Sequence, residues 1–209
     1  MSDKSARSSV YTGGDPSSIG RRSLRYSVGH TPEQIERPLV AIVNTWNEVH
    51  PGHCHLQRLA AKAKEGVLMA GGMPAEFNTV SICDGLSIGH EGMRYVLPSR
   101  EVICDSIELT VQAHRYDAMV LVGSCDKIIP ALLMVAARLD LPAIVVAGGP
   151  MYAGYIPQIG MRWGEAAQDE LAARFQRGEF TGDAIEEGAK CFYPCAGACS
   201  GMGTANTMA

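Results

Sequence analysis

The run Ser124-Cys125-Asp126-Lys127 places a soft and a hard metal ligand side by side, directly after an apolar stretch. A thiolate suits iron–sulfur clusters or zinc, whereas a carboxylate suits magnesium or manganese. Adjacent side chains leaving a strand point in different directions, so Cys125 and Asp126 could serve two metals. Asp84, which follows another apolar stretch, could complete the hard-metal site. The alternative is that Asp126 caps the following helix and Lys127 is solvated.

A second group of candidate ligands lies near the C-terminal end of the sequence. Three cysteines fall within nine residues of a Gly- and Ala-rich segment, namely Cys191, Cys195 and Cys199. Such density favours a cluster, because small residues let backbone amides approach the sulfurs. The spacing matches neither the C-x-x-C pairs of zinc sites nor the ferredoxin runs. The segment alone therefore suggests a cluster without specifying one.

The remaining histidines and cysteines are less informative. Four residues with ligating side chains crowd into six positions, namely His50, His53, Cys54 and His55. They cannot all point inward, and no matching C-x-x-C pair follows, so we do not expect a zinc site here. A histidine at a helix start that binds a substrate oxygen is the better interpretation. Cys83 and Cys104 stand in apolar company, and we predict that both are core residues.

Four short apolar runs predict buried strands, and helical patterns separate them. The strands are predicted at residues 39–43, 76–82, 118–122 and 142–147, and the intervening helices at 55–70, 98–114 and 130–139. This alternation predicts an α/β fold, a parallel sheet flanked by helices. Because the carboxyl ends of parallel strands share one edge of the sheet, the polar residues after each strand should converge there. Two further helices are predicted at residues 165–177 and 183–190.

The composition restricts the class of protein. The chain has 209 residues, of which 46% are hydrophobic and 19% charged, and this length suits one sizeable domain. Its net charge of −4 gives no reason to expect nucleic acid or an anionic membrane as a partner. Residues 1–25 are polar, and we predict that they form a flexible arm. Because they lack the apolar centre of a secretory signal, we expect a cytoplasmic protein. Disulfides among the seven cysteines are not expected there. Nucleotide-binding and serine-hydrolase motifs are missing from the sequence.

Several segments, taken in order, resemble the dihydroxy-acid and sugar-acid dehydratase family. The resemblance extends from about Arg21 onward, except for residues 151–190. The matching motifs are Cys83-Asp84-Gly85, Gly89-His90-Glu91-Gly92, Pro98-Ser99-Arg100-Glu101, Cys125-Asp126-Lys127, Gly148-Gly149-Pro150 and Cys199-Ser200-Gly201-Met202. The order and number of the motifs make the resemblance specific.

The resemblance implies a hydro-lyase that converts a 2,3-dihydroxy carboxylic acid to a 2-keto acid. An iron–sulfur cluster, held by Cys125 and Cys199, would act as a Lewis acid, and Mg²⁺ would be held by Asp84, Asp126 and Lys127. In relatives this lysine carries a carbamate, which turns a cation into an oxygen ligand. We favour the branched-chain amino-acid enzyme over a sugar-acid dehydratase, and a noncatalytic metal-binding fragment is the alternative. A homo-oligomer, dimer or tetramer, is expected.

Two departures from the family pattern matter. Some members place a third cluster cysteine where this chain has Gly52, within His50-Pro51-Gly52-His53. Cys54 lies two residues on and could substitute, so both 2Fe-2S and 4Fe-4S clusters remain open. Family chains also continue into a β-rich C-terminal domain that supplies the catalytic base, thought to be a serine, and a further carboxylate. Residues 26–209 are therefore expected to be a cluster-binding domain that ends before this second domain, alone inactive, with no catalytic base.

Overall fold

The computed structural model describes residues 6–162, 164–180, 182–200 and 203–208. A 3-10 helix spans Arg7–Tyr11, and six strands follow: β1 (Leu39–Asn44), β2 (Met73–Asn78), β3 (Ala118–Gly123), β4 (Ala143–Ala147), β5 (Tyr155–Ile156) and β6 (Met161–Arg162). The α-helices are α1 (Pro16–Ser27), α2 (Pro32–Ile35), α3 (Leu56–Met69), α4 (Asp84–Ser87), α5 (Met93–Ala113), α6 (Ile128–Leu139), α7 (Glu165–Gln176), α8 (Gly182–Ala189) and α9 (Thr204–Thr207).

The first four strands form a parallel sheet in the order β2-β1-β3-β4. Alternate side chains of a strand point to opposite faces, so the apolar run of β1 supplies two cores. Val43 packs with α5 and α6 on one face, whereas Ile42 packs with Leu56 of α3 on the other. The prediction of a parallel α/β sheet flanked by helices is confirmed, and a small antiparallel pair, β5–β6, follows it.

The second strand and the fifth helix differ from the sequence-based expectation. Among the described residues, β2 has β1 as its single neighbour in the sheet. It ends at Asn78, because β1 pairs with it residue for residue and ends at Asn44. Residues 79–83 therefore form a loop and not the end of a strand. Helix α5 begins at Met93 and contains Pro98, which was predicted to open it. The fixed φ of proline is compatible with a helix, and the cost is one backbone hydrogen bond.

The N-terminal segment is folded against the sheet domain. Asp117 joins the two parts: its Oδ1 accepts a hydrogen bond from the backbone N–H of Ser8 (3.1 Å), and its Oδ2 accepts one from Leu39 N–H (2.7 Å). Ser8 is buried as a result. The predicted boundary between an arm and a domain at residues 25 and 26 falls inside α1, which ends at Ser27. The first five residues of that predicted arm lie outside the described part of the chain.

Among the described residues, no helix combines the length and the apolar character that crossing a membrane would require.

Replacing Leu132 by alanine tests the core between the sheet and α6. Leu132 is 0% exposed, so Leu132→Ala should lower the free energy of unfolding by about 2–5 kcal/mol, through lost burial and the cavity left behind. Leu109→Ala is the matched control, because Leu109 is 71% exposed on α5. Urea unfolding measures both variants, and equal losses would contradict the assignment of the core.

Candidate metal centre

The order of the strands opens a crevice at the carboxyl edge of the sheet. The chain leaves β1 toward β2 on one side and leaves β3 toward β4 on the other, so the loops that follow β1 and β3 diverge. Ligands bind at such switch points in open α/β sheets. A cavity of about 210 Å³ lies there, lined by residues that include Gly52, Cys83, Asp84, Cys125, Asp126 and Cys199.

Cys125 leaves β3 in a left-handed backbone conformation, with φ of 70°. Few residues other than glycine adopt this conformation, and such strained positions cluster at functional sites. The side chain is buried, and a methyl group added at Gly52 would lie only 2.9 Å from Cys125 Sγ. Glycine at position 52 thus leaves room beside this sulfur. Burial raises the pKa of the Cys125 thiol, and the neighbouring Cys83, Cys199, Asp84 and Asp126 raise it further.

The carboxylates of the cavity are held in different ways. Asp84 Oδ2 accepts a hydrogen bond from Lys127 Nζ at 2.6 Å, whereas Asp84 Oδ1 is buried and has no hydrogen-bond partner among the described residues. Asp126 Oδ1 accepts one from the backbone N–H of Ala205 at 2.7 Å. A methyl group added at Gly203 would lie 3.0 Å from Asp126 Oδ2. Both residues therefore line the cavity with one carboxylate oxygen held by a hydrogen bond.

The alternative interpretation of Asp126 and Lys127 is wrong. Helix α6 has Lys127 as its N-cap residue, and among the described residues no side chain donates or accepts a capping hydrogen bond there, so Asp126 does not cap it. Asp126 bonds instead to the first turn of α9. The side chain of Lys127 is 27% exposed and paired with Asp84, so it is not simply solvated.

Backbone pairing brings the segment containing Cys199 to the cavity. Gly197 N–H donates to Pro51 O (3.0 Å), Ala198 N–H donates to Gly149 O (2.9 Å), and Met151 N–H donates to Ala198 O (2.7 Å). Any side chain at Gly197 would collide with the backbone of Met151. The segment therefore lies between the loops that follow β1 and β4, which a sequence pattern could not indicate.

A group of possible ligand atoms from His50, His53 and Cys125 lies within 4.8 Å of one another. His53 Nδ1 lies 2.6 Å from the carbonyl oxygen of Thr45, and His53 Nε2 lies 2.8 Å from the carbonyl oxygen of Ser124 and 3.2 Å from the Ser124 nitrogen, so a neutral ring donates one hydrogen bond and can accept another. Burial lowers the pKa of His53, which favours this neutral ring. Both nitrogens are therefore occupied by backbone groups. His53 joins the ends of β1 and β3, and backbone groups compete with a metal for both of its nitrogens.

His50 supports the loop that follows β1. Its Nδ1 accepts a hydrogen bond from Gly52 N–H at 3.1 Å, and its ring packs on that of His53 with 4.0 Å between the centroids. Burial, together with His53, lowers the pKa of His50 to about 3, so the ring stays neutral. His50 thereby fixes the backbone of Gly52 beside Cys125.

The structure brings together most of the residues predicted from sequence. Cys125, Cys199, Asp84 and Asp126 line one cavity, and Lys127 reaches it through its ion pair with Asp84. Residues 201 and 202 of the motif that begins at Cys199 lie outside the described residues. The roles of these side chains as ligands stay predictions.

The structure corrects two interpretations of the cysteines and confirms one. Cys83 is not a core residue, because it is half-buried and lines the cavity, whereas Cys104 is fully buried as predicted. Cys54 is exposed, its Sγ lies 3.6 Å from Pro51 O, and it does not line the cavity. A signal for Cys83 was present in the sequence: the Cys-Asp pair at positions 83 and 84 recurs at 125 and 126.

Fold and cavity together describe an α/β domain with a candidate metal centre at the carboxyl edge of its sheet. Residues 37–209 match the model of the family described as dihydroxy-acid/6-phosphogluconate dehydratase, N-terminal. The chain belongs to this family.

Curated relatives agree with the family match. The chain is 47% identical over 195 residues to dihydroxy-acid dehydratase 1 of Methanosarcina acetivorans, covering 93% of this chain and 35% of the relative. It is 50% identical over 188 residues to the dihydroxy-acid dehydratase of Methanoregula boonei, and 48% identical over 187 residues to that of Caldanaerobacter subterraneus. Each alignment covers 90% of this chain, and 34% and 33% of the respective relative. The chain thus spans about a third of the length of these relatives.

Replacing His53 by alanine tests the link between the strand ends. The variant leaves buried backbone groups of Thr45 and Ser124 without partners, at about 1–3 kcal/mol each, so the free energy of unfolding should fall by about 2–5 kcal/mol. His114→Ala is the control, because His114 is exposed and its loss should change stability by less than about 0.5 kcal/mol. Urea unfolding that found the two variants equally stable would contradict the structural role of His53.

Proposed function

We propose that this chain supplies the metal-binding part of a dehydratase that converts a 2,3-dihydroxy carboxylic acid to a 2-keto acid. In that reaction the substrate loses the proton on C2 and the hydroxyl on C3 as water. The resulting enol then tautomerises to the ketone. The relatives are named dihydroxy-acid dehydratases, which favours this activity over sugar-acid dehydration, and we assign the enzyme to branched-chain amino-acid biosynthesis as part of the proposal.

The observation that carries this proposal is the meeting of two kinds of ligand in one cavity. Cys125 and Cys199 offer soft sulfur, while Asp84 and Asp126 offer hard oxygen. Sulfur selects iron–sulfur clusters, and carboxylates select Mg²⁺. A zinc site would not need both sets. The donors therefore suit an iron–sulfur cluster and a magnesium ion next to each other.

The local geometry fits both groups. Asp84 Oδ1 is buried without a hydrogen-bond partner among the described residues, which is costly unless a cation or donor completes it. The missing side chain at Gly52 leaves space beside Cys125 Sγ. When bound, an iron–sulfur cluster supplies a Lewis acid for the departing hydroxyl, and Mg²⁺ supplies a cation for the substrate carboxylate and 2-hydroxyl.

The residues of this chain orient those donors. Lys127 Nζ holds one oxygen of Asp84, and Ala205 N–H holds one oxygen of Asp126, so each carboxylate is fixed in rotation. Carbamylation of Lys127 Nζ by CO₂ would release two protons, one on deprotonation of the ammonium and one on formation of the C–N bond, and would exchange the ammonium for an oxygen ligand beside Asp84. Hydrogen bonds to ligating carboxylates of this kind typically tune metal affinity about 10–100-fold.

No proton acceptor for the reaction is proposed among the residues of this chain. The relatives are about three times as long as the matched region, which leaves room for a second domain that carries the base. We further propose a cytoplasmic, homo-oligomeric enzyme with a small dihydroxy acid as substrate.

The variant Cys125→Ser tests whether Cys125 is a ligand of the iron–sulfur cluster. In the native polypeptide purified without oxygen, Cys125→Ser should lose the iron and the visible charge-transfer absorbance, because serine is a poor ligand for the cluster iron. Cys104→Ser is the matched control: this thiol is buried in the core away from the cavity and its loss should leave the iron content intact. Equal iron in the two variants would refute the assignment, as would a colourless, iron-free wild type.

Turnover by the native polypeptide tests the substrate. We expect kcat/KM for 2,3-dihydroxyisovalerate to exceed that for sugar acids by at least about tenfold, because pocket differences of one methylene already give 10–200-fold discrimination. The measurement follows formation of the 2-keto acid. A preference for sugar acids would favour the sugar-acid dehydratases instead. Iron-loaded protein without activity on either class would favour a noncatalytic metal-binding role.

A further inference from the structure

Cys83 lines the cavity, and neither the motif roles given above nor packing in the core explains a cysteine at this position. It precedes α4 and stands next to Asp84, and both line the same cavity as Cys125 and Cys199. The loop of residues 79–83, which carries it there, exists because β2 stops at Asn78. A thiol from the loop that follows β2 therefore lines the same cavity as the two thiols already considered.

Local structure gives Cys83 no other role. It is the N-cap residue of α4, yet its side chain makes no capping hydrogen bond. It is half-buried, unlike Cys104, so it contributes little to the core. Serine or aspartate would cap α4 better, since their oxygens accept hydrogen bonds from the first turn. Local stability therefore does not explain a cysteine at this position.

The other candidates for a third sulfur ligand do not reach the cavity. Position 52 is glycine, and the sulfur of Cys54 lies against Pro51 O, on an exposed residue outside the cavity lining. Cys195 is also exposed, and its Sγ accepts a hydrogen bond from Tyr152 N–H at 3.3 Å. Among the described cysteines, those that line the cavity are Cys83, Cys125 and Cys199.

We propose that Cys83 is the third protein ligand of the iron–sulfur cluster, together with Cys125 and Cys199, in place of a cysteine at position 52. The inference rests on the proposed function, in that it assumes a cluster in this cavity. Each thiol loses its proton on coordination. Clusters of two or four irons commonly take four protein thiolates, so three would leave one iron position without a protein ligand. The repeated Cys-Asp pair then has one meaning: each provides a sulfur for the cluster and an oxygen for the magnesium ion.

The test compares Cys83→Ser with Cys54→Ser in the native polypeptide, reconstituted with iron and sulfide without oxygen. Iron and sulfide per chain are measured before and after a challenge with a chelator. Cys83→Ser should lose its cluster at least about tenfold more readily than wild type, because weaker perturbations around metal ligands already cost 10–100-fold in affinity. Cys54→Ser should match wild type. The electron paramagnetic resonance spectrum of any cluster that remains in Cys83→Ser should also change.

The outcomes separate this inference from the function on which it rests. Iron-free wild type would overturn both the cluster and the role of Cys83. A loaded wild type, an empty Cys125→Ser and a Cys83→Ser that retains iron and spectrum like wild type would overturn only the role of Cys83. Thermal unfolding of the iron-free proteins is the control for folding: Cys83→Ser should unfold at the wild-type temperature, because its side chain supports no local hydrogen bond. A lowered temperature would assign Cys83 a structural role and overturn the inference.

Discussion

The buried link through His53 is the constraint on which the candidate centre depends. It joins the carbonyl of Thr45, just after β1, to the amide of Ser124, just after β3. The next residue, Cys125, turns away in a left-handed conformation that costs roughly 1–2 kcal/mol in an L-residue. Such a turn persists only where its surroundings hold it. Because His53 fixes both strand ends, the position of the sulfur beside Gly52 is determined before any metal binds.

The cavity is lined by several acidic groups whose negative charges would repel one another. Three thiols and two carboxylates face about 210 Å³, and burial raises the pKa of the central thiol of Cys125. Bound cations reverse this preference, since a coordinating thiol is deprotonated outright. Lys127 provides one positive charge, which its ion pair with Asp84 already engages. The arrangement is thus costly for the protein alone and would be stabilised by bound cations, which is the expected property of the proposed metal centre.

Residue patterns predicted the sheet well because its central strands are buried on both faces. Continuous apolar runs leave β1 and β3 few alternatives. The edge strand β2 was predicted less well, since its length is set by the end of β1 and not by its own Val80 and Ile82. Pro98 likewise has a φ that suits either a helix start or its interior. The prediction for Cys83 failed for a related reason: because it directly follows the apolar run with Val80 and Ile82, it was expected to be buried in the core.

The sequence by itself determined the fold class, the family and four of the residues that line the cavity, because apolar periodicity and motif order are local properties of the chain. The tertiary structure decided which side chains share the cavity. In the folded protein Cys54 lies outside the cavity lining, Cys83 is part of it, and backbone groups contact both nitrogens of His53. The physical reason is that these outcomes depend on contacts between segments distant in sequence, such as His53 with Ser124 and Gly197 with Pro51. No local pattern of residues encodes such contacts.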